Sequence, residues 1–222
     1  MSTTRERRWW PVSGLVFAAL YLVAVELMDL PEGRYSDARV IELYRDAGTR
    51  SGIVLGGVLL VIAGLALVPF LADLRERLGP RDPLTGVAVA GGGLYVAMLF
   101  VAAGLQSGYA TGVTVGELPE PVDPTLARVL SDHGFGLLLI PGLLSAGVLV
   151  LASSLAARRT AALPRALTTT GFVVAPLLLA GAAWVPQFLV PMWVLGVSIA
   201  FLRRRDRVAD SEPATRASAE AA

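Results

Sequence analysis

From Pro11 to Met28 the chain is apolar except for one side chain that is charged at neutral pH, Glu26. Runs of similar length follow at 51–72, 84–107 and 134–157, and residues 167–202 form one longer run. About 18 or more apolar residues, wound as a helix, reach across the hydrocarbon of a bilayer. This repetition constrains the fold to an all-α integral membrane bundle. A single carboxyl inside such a run is costly, which makes Glu26 the first candidate for function.

Composition supports this class. The chain is 55% hydrophobic, against about 45–50% for a soluble domain. Its 17% of charged residues lie almost wholly between the apolar runs. A net charge of +1 provides no basic field for nucleic acid. With no cysteine, disulfides, thiolate metal sites and cysteine nucleophiles are excluded.

Six transmembrane helices are expected, at about 11–29, 51–72, 84–107, 134–157, 167–185 and 187–202. As a single helix residues 167–202 would be roughly 54 Å long, far more than a bilayer needs. Pro186 and Gln187 supply a turn near the middle, and Trp184 suits an interface. Residues 1–10 are expected to be a cytoplasmic N-terminus, with Trp9 and Trp10 as interfacial aromatics of an uncleaved first span. The segment 203–222 is expected to be a basic and then disordered cytoplasmic tail.

Arginines set the orientation. Arg5, Arg7 and Arg8, then Arg75, Arg77 and Arg81, then Arg158, Arg159 and Arg165, then Arg203, Arg204, Arg205 and Arg207 fall on one side of the six-span arrangement. The opposite loops hold Arg34, Arg39, Arg45, Arg50 and Arg128, outnumbered by their acids Asp29, Glu32, Asp37, Glu42, Asp46, Glu117, Glu120, Asp123 and Asp132. The positive-inside rule places both termini in the cytoplasm.

Two short amphipathic surface helices are expected in the outer loops. Ser36 caps the first, which carries Val40, Ile41 and Tyr44 on one face and stops at Gly48. Asp123-Pro124 opens the second, which carries Leu126, Val129 and Leu130 and ends at Gly134. Small residues at helical spacing, among them Gly91, Gly92 and Gly93, let helices approach closely. Pro69, Pro141, Pro176 and Pro191 kink or interrupt spans.

Soluble-enzyme motifs are missing, and a single histidine rules out a histidine-rich metal site. No cofactor is implied. The polar candidates are Glu26, Asp29 and His133 for acid–base chemistry. Tyr21, Tyr95, Gln106, Asp132, Trp184 and Gln187 are candidates to line a mouth over an apolar cavity that opens outward. Glu26 has a second reading, as the partner of Arg50 or another outer arginine. The inner halves of the spans offer almost no polar groups, which ranks transport low.

The segment SDARVIELYRDAGTRSG before the second span, LADLRERL at its inner end, PVDPTLARVLSDHGFGLLLIPG, and the loop RRTAALPRALTTTGFVVA resemble a family of small actinobacterial multi-pass membrane proteins whose domain is of unknown function. The likeness covers most of residues 11–202, and its most specific piece is Ala162-Leu163-Pro164-Arg165. It implies a bacterial plasma-membrane protein of about six helices. It carries over no catalytic residue, and Glu26 is not part of the pattern.

Three functions follow as expectations. The first is binding or handling a hydrophobic, lipid- or isoprenoid-like molecule in an outward-facing cavity. The second is a membrane cyclase or isomerase that uses Glu26 as an acid, with Asp29 or His133 as base. The third is an accessory subunit or small-solute transporter. The expected partners are the bilayer and a hydrophobic small molecule, and no nucleic acid.

Overall fold

The computed structural model describes residues 10–28, 30, 35–116, 122–180 and 185–220, with side chains except at 185–186 and 205–220. Every regular element among these residues is helical. The helices are α1 (Trp10–Leu27), α2 (Asp37–Arg45), α3 (Ala47–Leu78), α4 (Pro83–Val115), α5 (Pro124–Leu137), α6 (Leu143–Thr160), α7 (Arg165–Ala180) and α8 (Leu189–Glu220). A π turn, Leu138–Gly142, joins α5 to α6, and a 3₁₀ turn, Val185–Phe188, precedes α8.

Four of these stretches are long and apolar enough to cross a membrane: α1, α3, α4, and α5 running on into α6. The six expected spans are thus shown only in part. α7 has 16 residues, or about 24 Å. The apolar part of α8, Leu189 to Leu202, is roughly 21 Å long. Each falls short of the ~30 Å hydrocarbon. The tail expected to lack structure continues α8 as backbone to Glu220, and its side chains beyond Arg204 lie outside the described residues. Trp9 also lies outside them.

The long helices form a ring in which each packs against the next, and α8 closes it against α1. Gly52 and Gly56 of α3 face the backbone of Leu27 and Ala24 in α1. Gly91 of α4 faces the backbone of Ser145 and Leu149 in α6. The core inside the ring includes Phe17, Leu67, Phe70, Leu99, Leu149, Val194 and Phe201. Large apolar residues such as Leu55, Leu65, Leu94, Ile140 and Val173 remain exposed on the outside, the belt a bilayer would cover. Arg75, Arg77, Arg158, Arg159, Arg165, Arg203 and Arg204 gather at one end. The other end carries α2 and the start of α5, and is called here the cap end.

The cap is better built than a pair of surface helices. α3 and α4 contain 32 and 33 residues, about 48 and 50 Å, each longer than the ~30 Å hydrocarbon. Val40 and Tyr44 of α2, Ile53, Tyr109, Ala110, Val122 and Ala127 make a second core at the cap-end turns of α3 and α4. Arg128 pairs with Asp37 at 2.7 Å and donates to the Tyr35 carbonyl at 2.6 Å, which ties α5 to α2. Arg50 donates to the Tyr44 and Arg45 carbonyls at 2.6 and 2.9 Å, satisfying the last turn of α2.

Two boundaries differ from expectation. Ser36 does cap α2, but the helix ends at Arg45 and Gly48 lies inside α3. Asp46 starts the new helix, its Oδ2 accepting the Thr49 N–H at 2.6 Å. Gly134 does not end a second surface helix. A Cβ there would lie 3.0 Å from the Ala102 carbonyl oxygen, so this glycine admits α4 at close range while the helix continues. Pro141 then has no N–H to give Leu137, and its ring crowds that carbonyl. The wider π turn absorbs the mismatch, so α5 and α6 read as one bent rod.

The Thr49 N–H holds the Asp46 carboxyl below its ordinary value of 3.8. A depressed folded value means that the cap's contribution is complete above pH 3.8 and is lost as pH falls through the folded value. The difference in thermal midpoint between the wild type and Asp46→Asn is expected to be flat above that pH and to close below it. A difference that widens on acidification would contradict this assignment.

Candidate functional site

Tyr21 and Tyr95 meet inside the ring. α1 presents Phe17, Tyr21 and Ala24 on one face, and α4 presents Tyr95, Leu99 and Ala102. The two hydroxyls hydrogen-bond to each other, and each residue is only 1% exposed. The Phe17 ring lies 5.9 Å from Tyr21 and 6.4 Å, edge-on, from Tyr95. The Tyr95 hydroxyl donates to the Tyr21 oxygen, so the two phenols contact each other inside the ring rather than facing an open cavity.

The other expected site residues are scattered. Glu26 is exposed on the outer face of α1, away from the face that buries Tyr21. No ion pair joins it to Arg50 among the described residues, because Arg50 is engaged by the α2 carbonyls. His133 is exposed, with Nδ1 2.7 Å from the Val129 carbonyl oxygen. Asp132 is exposed beside it. α1 and α5 are not neighbours in the ring, so Glu26 and His133 do not face each other across a common space. Gln106 is buried where α4 meets Gly134, and Gln187 is buried in the 3₁₀ turn. Asp29 and Trp184 lie outside the described residues.

The cap adds aromatic order. The Tyr109 hydroxyl accepts the Asp123 N–H at 2.7 Å, and its ring stacks edge-on against Tyr44 at 4.9 Å. Burial, followed by the neighbouring Tyr109, pushes the Tyr44 phenol well above its ordinary value. Tyr44 thus stays protonated at any physiological pH and acts by packing.

The arginine end holds what the sequence reading missed. Asp73, Thr85, Ser153, Ser154, Thr168 and Ser198 are all buried there, contrary to the expectation that the inner halves lack polar groups. Asp73 accepts from Arg77 at 2.9 Å, and the Arg77 guanidinium lies 4.3 Å from the centre of the Phe201 ring, linking α3 to α8. Ser154 donates to the Val150 carbonyl at 2.8 Å. Thr85 Oγ1, Ser153 Oγ, Ser198 Oγ and Trp193 Nε1 have no hydrogen-bond partner among the described residues. The sequence signal was present, hydroxyls one or two turns from an arginine loop, but serine and threonine also bond to their own helix and say little alone.

Beside this cluster a crevice of about 500 Å³ opens between α7 and α8, lined by Pro164, Leu167, Gly196, Ile199, Ala200, Arg203 and Arg204. These two helices pack least closely of the neighbours in the ring. Leu167 packs directly on Gly196, where a Cβ would sit 3.0 Å from the end of its side chain, and the crevice opens beside this contact. Arg204 bridges to the preceding loop, donating to the Ala162 and Ala161 carbonyls at 2.7 and 3.0 Å. No protein-family model, curated protein or solved structure matches the chain. Among the described residues no cluster of histidine, aspartate and glutamate is suited to hold a metal ion. The crevice joins an apolar lining along Leu167, Ile199 and Ala200 to two arginines at one end.

Proposed function

We propose that the protein lies in a bacterial plasma membrane with its arginine end in the cytoplasm, and that it binds a hydrophobic, lipid-like molecule. The observation that carries this reading is the crevice between α7 and α8. It is apolar along Leu167, Gly196, Ile199 and Ala200, and it reaches the outer surface of the bundle, where Ile199 is 37% exposed. A molecule already dissolved in the bilayer can enter such a slot sideways without crossing water. The positive-inside rule supports the orientation. Protonation chemistry at Glu26 has less support, since its carboxyl lies on the outer face of α1 and away from His133.

Native mass spectrometry of the detergent-purified protein tests the reading. The wild type is expected to keep a discrete hydrophobic ligand. Gly196→Phe, whose ring must push the lining residue Leu167 into the slot, is expected to lose it. Glu26→Gln is expected to retain it, because Glu26 does not line the crevice. Equal, heterogeneous bulk lipid in all three proteins would overturn the reading.

A further inference from the structure

We infer that the occupant of the crevice is an anionic glycerophospholipid from the arginine-end leaflet, with an acyl chain along the slot and its phosphate at Arg203. This rests on the reading of the crevice given above and names its ligand class. Three observations point to it, each of a different kind.

The first is charge. Of the seven residues lining the crevice two are arginines and none is acidic. The two arginines are not equivalent. Arg204 directs both terminal nitrogens to the Ala161 and Ala162 carbonyls. Arg203 is exposed and makes no such contact among the described residues. No described residue engages its fork of donors, which suits a phosphate in the bidentate way that guanidinium favours, while Arg204 adds charge and holds the rim in place. Arg165, next to the lining residue Pro164, is exposed as well.

The second is the match of geometry to an amphiphile. From Gly196 to Arg203 the α8 axis rises roughly 10 Å. Apolar lining occupies the first part and cationic lining the last. The arginines thus stand at the mouth of the slot, where a headgroup joins its chains. A free anion would have no use for the apolar floor, and an uncharged hydrophobe would have none for the rim. Basic pockets between membrane helices on the cytoplasmic side are suited to anionic headgroups for the same reason.

The third is local backbone polarity. α7 starts at Arg165, directly at the crevice, with no acidic residue in its first turn. The partial positive charge of its N-terminus is not offset by a neighbouring carboxylate there. It reinforces the arginines, though it would not make a site without them.

The test is competitive retention in native mass spectrometry. The full-length protein is presented with phosphatidylglycerol and phosphatidylcholine of identical acyl chains in equal amounts, in mixed micelles. The wild type is expected to retain phosphatidylglycerol about fivefold or more over phosphatidylcholine, since one surface arginine is worth roughly that factor. The preference is expected to shrink as salt is raised. Arg203→Gln is expected to bind lipid with the preference lost, whereas Arg75→Gln, at the same end but away from the crevice, is expected to keep it. Equal retention of the two lipids by the wild type would overturn the inference while leaving a hydrophobic-ligand site standing. A preference shared by wild type and Arg203→Gln would overturn the assignment to Arg203. Loss of all lipid binding from the wild type, or unchanged binding in Gly196→Phe, would instead remove the reading on which the inference rests. A thermal midpoint measured on each variant separates lost binding from lost fold.

Discussion

Gly91→Leu is expected to abolish a well-folded preparation, while Gly93→Leu, two residues along the same helix, is expected to leave it intact. A Cβ at position 91 would meet the Ser145 carbonyl oxygen at 2.8 Å and the Leu149 nitrogen at 2.9 Å. Both are backbone atoms of α6, and neither can swing aside as a side-chain tip would. The helices must separate, and the contacts around Ala88, Ala146 and Leu149 go with them. Overpacking of a core costs about 1–3 kcal/mol where side chains can yield, so backbone against backbone is expected to reach or exceed the top of that range. At position 93 nothing lies within 4 Å, and a leucine there joins the apolar belt. Gly92 is intermediate, since it meets only the end of the Leu71 side chain. Size-exclusion profiles and thermal midpoints in detergent read all three. Equal behaviour of the Gly91 and Gly93 variants would show that the triplet serves as a hinge and not as a packing surface.

The tyrosine pair gives the second large effect. Tyr95→Phe strands the Tyr21 hydroxyl in an apolar interior, and Tyr21→Phe strands that of Tyr95. An orphaned buried donor costs about 1–3 kcal/mol in a soluble core. Bonds between membrane helices are weaker on average, about 0.6 kcal/mol, because the separated helices find other partners. Tyr21 and Tyr95 are sealed by Phe17 and by the ring itself, so each single variant is expected to lose about 1–2 kcal/mol. The double variant is expected to be less destabilised than the two single losses added together, because it leaves no orphan. A double-mutant cycle with unfolding in denaturing detergent measures the coupling. Strict additivity would mean that the hydroxyls are independent, and loss of bound ligand in the double variant would move the binding site to this pair.

Helix positions were legible because hydrocarbon length sets them. Residues 11–29 became α1 over Trp10–Leu27, and the long run after 167 did break near Pro186. The caps at Ser36 and Asp123 were legible because an oxygen-bearing side chain before a helix has few other uses. The ends of those elements were less so. Asp46 could be read as a tail residue of one helix or the cap of the next, and Gly134 as a stop or as a packing site; which one holds depends on whether another helix is pressed against it.

The candidate site was the least legible part. Val16 and Phe17 are both apolar neighbours, yet one is 42% exposed and the other 0%. In water such a difference leaves a polar stripe in the sequence. In a bilayer the outer solvent is as apolar as the core, so hydropathy no longer tells one face from the other. Glu26 was conspicuous by its charge, but charge does not say which way it points. The sequence by itself determined that this chain is a helical membrane protein with an arginine-rich end, because apolar length and charge placement are properties of the chain alone. The tertiary structure alone decided that Tyr21 faces Tyr95, that Glu26 faces outward, and that a crevice between α7 and α8 ends at Arg203, because each depends on which helix lies beside it.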